Sequence, residues 1–285
     1  MRWAVVGDTG LFGSEMAQLL EDRGEEVLRF NRSNLDLEES SESIARLVGP
    51  ADVVVNSVGY TQVDRAEQDL YEANTVNGIY AGKLAEVAAL LGAKYFYIST
   101  DYVFDGEANS AYSVTAGTNP LNVYGKSKEL GEQLVADSGA NYTIFRTSWL
   151  YGSHGICFPK SIAKRISGGE ELEIVDDQIG SPTWTKDLAK VIYEHGTKEL
   201  HERIVHAVSS GSTSWFQFSN AIASSLGVDW KLAIKPVSSE HFVAAALRPK
   251  YSVLDNSETQ GPIIDGWEDR WFAAAPEVLA EFLAK

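Results

Sequence analysis

The sequence predicts an α/β fold: a doubly wound parallel sheet with a smaller C-terminal domain. Three observations predict it. Short apolar runs alternate with amphipathic stretches through the first 150 residues. Three evenly spaced glycines, Gly7, Gly10 and Gly13, separate the first apolar run from the first helical pattern. The later sequence loses this regularity, and Pro236, Pro249, Pro262 and Pro276 interrupt it.

The elements follow in order. Arg2–Val6 reads as a buried strand, after which Phe12, Met16, Leu19 and Leu20 recur at helical spacing. Glu26–Phe30 is a second strand and Asp52–Asn56 a third. A long helical pattern covers roughly Leu70–Leu91, and Lys94–Ile98 is a fourth strand. Leu121–Ala136 reads as a helix after Pro120, and Tyr142–Thr147 as a fifth strand. Strands that alternate with helices imply right-handed crossovers and a parallel sheet. Farther on, Lys186–His195 looks helical and Ile204–Val208 looks like a strand, and both are expected to rejoin the first sheet. Residues 211–285 hold most of the loop-like sequence.

Composition bounds the rest. With 285 residues and a hydrophobic fraction of 44%, the chain can bury a full core without disulfides or metals. Cys157 is the one cysteine, which excludes an internal disulfide and fits a reducing cytoplasm. The opening MRWAVVGDTG lacks the apolar core of a signal peptide, and no apolar run approaches membrane-spanning length. The formal charge of −16 argues against nucleic acid and anionic membranes as partners. It also means that an anionic small ligand needs a local positive site, built from helix N-termini, backbone N–H groups and a few Arg or Lys.

The glycine loop supplies such a site. Val5-Val6-Gly7-Asp8-Thr9-Gly10-Leu11-Phe12-Gly13 follows the first strand directly and opens the first helix. Gly7 turns the chain off the strand, Gly10 lets backbone approach a pyrophosphate, and Gly13 lets the helix pack close to the sheet. Gly7, Thr9, Gly10, Leu11, Phe12 and Gly13 are therefore candidate dinucleotide contacts, and the fold is Rossmann-like. The larger, dinucleotide-binding domain is expected over 1–150 plus about 176–210, and the smaller substrate domain over 151–175 plus 211–285. After Phe30 come Asn31 and Arg32, with no acid to hold a ribose 2′-hydroxyl. Arg32 can pair with a 2′-phosphate, so NADPH is the expected cofactor and NADH the alternative. Asp36 and Leu37 can flank the adenine.

Tyr124 and Lys128 stand at i and i+4, on one face of the predicted helix. Reducing a ketone by hydride needs a proton for the developing alkoxide. A tyrosine with an ammonium beside it can supply that proton, because the charge lowers its pKa. Ser99-Thr100-Asp101-Tyr102 follows the fourth strand, at the end where parallel α/β sites form. A hydroxyl there can hold the substrate carbonyl.

Together the glycine loop, STDYVFDG (99–106), YGKSK (124–128), RTSWLYG (146–152), DDQIGSPT (176–183) and RPKYSVLD (248–255) resemble dTDP-4-dehydrorhamnose reductases, which are extended short-chain dehydrogenases. The resemblance covers nearly the whole chain. It implies Tyr124 as proton donor, Lys128 as its partner and Thr100 as the carbonyl-orienting hydroxyl. It implies cofactor contacts from Gly10, Leu11, Phe12, Asp36 and Leu37, from Val58, Gly59, Tyr60 and Thr61, and from Tyr124 and Lys128. It implies substrate contacts from Thr61, Val63, Thr100, Asp101, Tyr102 and Trp149, with Trp149 as a flat apolar wall. The substrate is then a dTDP-4-keto-6-deoxy sugar, and dTDP-L-rhamnose or a stereoisomer is the product. Relatives of this kind include dimers with a divalent metal. No ligand spacing here compels a metal, and monomer and homodimer both remain open.

The sequence departs from the family pattern at three places. Ser57-Val58-Gly59 stands where Ala-Ala is usual, Tyr112-Ser113-Val114 lacks a carboxylate, and Cys157-Phe158 replaces Asn-Phe. Two other readings compete. Sugar-nucleotide dehydratases carry Thr-Asp-Glu, but here Tyr102 replaces the glutamate, so elimination lacks its base. A non-catalytic NADP-binding regulatory subunit would not need Thr100, Tyr124 and Lys128 together. Cys157 has no sequence context that marks it as a nucleophile.

Overall fold

The computed structural model describes residues 1–283. At its centre is a six-stranded sheet whose strand pairs are all parallel. Five strands are β1 (Arg2–Val6), β2 (Glu26–Phe30), β3 (Val53–Asn56), β4 (Lys94–Thr100) and β5 (Asn141–Thr147). The sixth, Ile204–His206, pairs with β5. The order across the sheet is β2, β1, β3, β4, β5 and then the sixth strand, so the direction of winding reverses between β1 and β3.

Both faces of the sheet are covered, which is why its strands read as unbroken apolar runs. Alternate residues serve opposite faces. Ala4, Val6, Val54, Tyr95 and Tyr97 pack against Leu84, Val87 and Ala88 of the Tyr80–Leu91 helix. Trp3, Val5, Val55, Phe96 and Phe145 pack on the other side against Phe12, Met16 and Leu20, and against Leu188, Val191 and Ile192.

A second core lies apart from these two. Tyr151, Ile162, Ile166, Leu172, Trp184, Phe218, Ile222, Trp271 and Val278 form it. It joins the helices Phe158–Ser167, Trp215–Ser225 and Trp267–Val278 to the parallel pair Leu172–Val175 and Ile234–Val237. Residues 211–283 are therefore less loop-like than their prolines suggest. Phe218 and Ile222, like Trp271 and Val278, fall on buried helix faces. Pro276 sits inside the last turns of its helix, where it lacks the N–H that would pair with the Phe272 carbonyl. No helix among the described residues is long and apolar enough to cross a membrane.

Two differences from the sequence reading bear on the site. Strand β4 runs on to Thr100, so Ser99 and Thr100 end the strand instead of opening a turn. The long helical pattern of 70–91 is interrupted by a π-helical turn at Thr75–Ile79. The Tyr97 hydroxyl donates to the Asn77 carbonyl there (2.7 Å) and takes an acceptor from the helix. The Val123–Asp137 helix lies directly on this turn. A Cβ on its Gly131 would lie 2.3 Å from the Asn77 carbonyl oxygen and 2.4 Å from the Tyr97 hydroxyl. Gly131→Ala is therefore expected to cost about 1–3 kcal/mol through overpacking. A thermal melt should register the loss, and an unchanged Tm would mean the helix can shift without penalty.

Candidate active site

In an open parallel sheet, ligands bind outside the carboxyl ends of the strands where the winding reverses. Here that place lies between the loops after β1 and β3. Gly7 holds φ +91°, and a Cβ on Gly13 would lie 2.1 Å from the Gly7 carbonyl oxygen, so only backbone fits between loop and helix. Ser57, at the Ala-Ala departure, stitches the two loops together through its hydroxyl, which donates to the carbonyls of Val6 (2.9 Å) and Gly7 (3.0 Å). No side chain caps the Leu11–Asp22 helix, so its first N–H groups remain free for an anion. The loop and the helix end thus fit a dinucleotide pyrophosphate.

A cavity of about 510 Å³ opens from this loop. It brings together Gly10, Leu11, Phe12, Val58, Gly59, Thr61, Val63, Thr100, Asp101, Tyr102, Tyr124, Lys128 and Trp149 from five separate stretches of chain. Local rules place the tyrosine helix. Asn122 caps it by accepting from the Gly125 N–H (2.8 Å), and its amide donates to the Leu247 carbonyl (2.7 Å). Gly125 is required because a Cβ there would lie 2.2 Å from the Tyr102 carbonyl oxygen. Ser127 donates to the Tyr124 carbonyl and accepts from Asn77, whose side chain also bonds both backbone groups of Tyr60.

Lys128 is buried, and its Nζ donates to the Ile98 carbonyl (3.0 Å) beneath the Tyr97 ring. Desolvation lowers its pKa to about 8, with Glu132 one turn behind opposing the fall. Burial pushes Tyr124 up to about 12, while Thr100 beside it pulls the other way. The sequence reading has the Lys128 ammonium lowering the tyrosine pKa. In this structure Lys128 is turned to Ile98 and burial prevails, so the Tyr124 pKa stands above its ordinary value.

Thr100 Oγ1 donates to Asp101 Oδ1 (2.9 Å) and accepts from the Tyr102 N–H (3.2 Å). Asp101 also accepts from the Ser252 hydroxyl (2.5 Å). Burial raises Asp101 to about 6 against these hydrogen bonds. Tyr102 meets Tyr124 edge-on, with centroids 5.8 Å apart, and its own pKa is raised by burial.

Other expected contacts lie elsewhere. Gly7, Thr9 and Gly13 shape the loop without lining the cavity. Arg32 and Asp36 border a separate hollow of about 450 Å³ beyond β2, while Leu37 packs against the sheet core. Asn31 donates to Asp8 Oδ1 (2.9 Å), so the end of β2 is not free of acid: the glycine loop delivers a carboxylate that the local sequence after Phe30 lacks. Tyr60 points its hydroxyl away to Asp69 (2.8 Å). Trp149 lines the cavity, yet one of its faces is stacked on Trp215 at 3.5 Å. Gly180 abuts the same ring, where a Cβ would lie 2.5 Å from Cε2. Trp149 is the one non-glycine residue with positive φ (+46°) among those described. Trp149 is thus half-covered, not an open wall.

Sequence reasoning missed Ile156, Ser148 and Trp215 at the cavity, and Ser252 behind it. RPKYSVLD contains Ser252, but nothing local ties that serine to Asp101. The remaining departures are accommodated by packing. Tyr112 stacks on Phe104 (4.2 Å) and donates to Asp105, and Phe158 packs against Trp215 (4.4 Å).

Residues 1–283 match the RmlD substrate binding domain family. The spore coat polysaccharide biosynthesis protein SpsK of Bacillus subtilis is 37% identical over 254 residues, 88% of each chain. A dTDP-4-dehydrorhamnose reductase of Burkholderia thailandensis is 37% identical over 276 residues, 90% of this chain and 91% of the other. Among solved structures, a dTDP-4-dehydrorhamnose reductase of Bacillus anthracis in complex with NADP superposes with a TM-score of 0.89 at 34% identity, covering 96% of this chain and 98% of that one.

Two outcomes are expected from this geometry. Gly13→Ala should force the glycine loop open and weaken dinucleotide binding more than about tenfold, read by nicotinamide fluorescence, because the Gly7 backbone 2.1 Å away cannot yield without moving the loop. Asp101 is the second case. Its folded pKa lies above its unfolded value, so between about pH 4 and pH 6 the folded chain holds a proton that the unfolded chain releases. Its contribution to stability is therefore lost as pH rises through that window. Asp101→Asn cannot ionise, so its Tm relative to the parent should climb from pH 4 to pH 7; a constant difference would contradict the assignment.

Proposed function

Because the chain belongs to the RmlD substrate binding domain family, we propose that it is an NADPH-dependent reductase of a dTDP-linked 4-keto-6-deoxy sugar. The finer reading is dTDP-4-dehydro-L-rhamnose to dTDP-L-rhamnose, with a C4 stereoisomer as the other product. The observation that carries the proposal is the meeting of Thr100, Tyr124 and Lys128 in one cavity that begins at the glycine loop. The single cysteine supports a cytoplasmic setting.

NADPH supplies the hydride when bound. Gly10, Leu11 and Phe12 hold its pyrophosphate at the helix end, and Arg32 receives the 2′-phosphate. Thr100 orients the C4 carbonyl with its hydroxyl. Tyr124, protonated throughout the neutral range, delivers its proton to the C4 oxygen as that oxygen gains charge. Lys128 spends one of its three protons on Ile98 and has two left for ribose hydroxyls. Asp101, tied down by Ser252, accepts the Thr100 hydroxyl proton until the substrate carbonyl takes its place as acceptor. Trp149 and Tyr102 border the sugar. Elimination is disfavoured because Tyr102, where dehydratases carry a glutamate, is a buried phenol with a raised pKa and so a poor base at neutral pH.

Purified protein, NADPH and a panel of dTDP-4-keto sugars should consume nicotinamide absorbance and yield a 6-deoxyhexose identified by NMR. Tight NADPH binding with no keto sugar reduced would favour the regulatory-subunit reading instead. Tyr124→Phe should lower kcat by about 10²–10⁴-fold with NADPH affinity kept. Thr100→Val should cost less, on the order of 1–3 kcal/mol for one hydrogen bond left unmade. If Tyr124→Phe keeps its kcat while chemistry limits the rate, the proton comes from another group.

A further inference from the structure

We propose that Glu132, held by Arg146 and Ser99, is the buried counter-charge that positions Lys128 for its part in the reduction. The inference rests on the function proposed above and adds a residue pair to it. Glu132 follows Lys128 by four residues, as Lys128 follows Tyr124, so the three share one helix face. Its carboxylate accepts from Arg146 Nε (2.9 Å), Arg146 Nη2 (2.6 Å) and Ser99 Oγ (2.5 Å). Both side chains of the ion pair are less than a tenth exposed. A buried pair of this kind is weak support for stability, since desolvation offsets most of its attraction. Its position beside the catalytic lysine gives it another use.

The groups that face Lys128 make the case. Tyr124 lies on its own helix, Tyr97 and the Ile98 carbonyl on β4, and Asn77 on the π turn, with Gly59 opposite. None of these carries a negative charge at neutral pH. Asp101 lies across the cavity, beside Thr100. Glu132 sits one turn along the helix from Lys128, bonded to Ser99, the residue after the carbonyl that holds Nζ, and it opposes the desolvation that pulls the lysine pKa down to about 8.

Arg146 decides how Glu132 acts. A bare carboxylate one turn away would draw Nζ into a direct salt bridge and out of the site. Arg146 and Ser99 occupy both carboxylate oxygens, so Glu132 exerts its field while Lys128 keeps Nζ on Ile98 and free toward the cavity.

The test is direct titration of Lys128. In the cofactor-free protein labelled with 13Cε-lysine, the Lys128 resonance is assigned with Lys128→Met and followed against pH. Glu132→Gln should lower its midpoint by about one unit. The high-pH limb of kcat should move down by the same amount, with KM for the keto sugar unchanged. The double variant Glu132→Met with Arg146→Met replaces the pair by apolar side chains and guards against misfolding of the single one. Its midpoint should lie about one unit below that of Arg146→Met alone, because loss of the guanidinium by itself raises the midpoint. Equal midpoints in the folded double variant and in Arg146→Met would overturn the proposal, as would a Glu132→Gln protein that loses Tm and activity equally at every pH with its midpoint unmoved. Should the parent reduce no keto sugar, the functional reading fails, while the lysine midpoint still decides the role of Glu132.

Discussion

The close approach of the Val123–Asp137 helix to the end of β4 is the constraint on which the site depends. Gly125 meets the Tyr102 carbonyl, and Gly131 meets Asn77 and Tyr97, at separations no Cβ would allow. Two backbone-level contacts, one turn and a half apart, fix both the position and the rotation of the helix. Tyr124, Lys128 and Glu132 then point the same way by periodicity alone. The strand they face ends in Ser99 and Thr100, which supply a hydroxyl to Glu132 and a hydroxyl to the cavity. Moving the helix outward by the width of a methyl group would separate both pairs at once.

Burial then sets the chemistry. Lys128 and Asp101 are buried and Tyr124 is half-buried on the cavity wall, and each is pushed toward its neutral form: the tyrosine and aspartate upward, the lysine downward. A neutral Tyr124 suits a proton donor. A neutral Lys128 would not serve, and the nearby Glu132 opposes that outcome. Low dielectric makes one correctly placed charge effective at a distance of a helical turn, which is why a carboxylate that never touches Lys128 can still matter.

The last third of the chain closes the site from outside the sheet. Ser252 reaches Asp101, the Leu247 carbonyl takes the amide of the Asn122 cap, and Arg248 grips Asp64 in the loop after β3 with Nη1 at 3.0 Å. Trp215 covers Trp149. These contacts join segment 246–252, and through Trp215 the second core, to stretches that carry expected substrate and cofactor residues. Segment 246–252 therefore helps to hold the catalytic groups in place as well as bordering the substrate.

Much of this was legible in the sequence, because it follows from local rules. The strands are apolar runs because both sheet faces are covered. Gly7 takes a positive φ that favours glycine and Gly13 leaves no room for a Cβ, and the four-residue spacing of Tyr124 and Lys128 gives one helix face whatever surrounds it. What the sequence could not decide depends on residues far apart in the chain. Asp8 reaches the end of β2, although the residues after Phe30 include no acid. Lys128 turns to Ile98 and leaves Tyr124 to the effect of burial. Pro276 sits in a helix because Trp271, Ala275 and Val278 have a core to fill. Glu132 looks like a surface helix residue until Arg146 arrives from β5. Periodicity and turn chemistry act over a few residues and are written in order along the chain; desolvation and ion pairing depend on distance in space, which only the tertiary structure supplies.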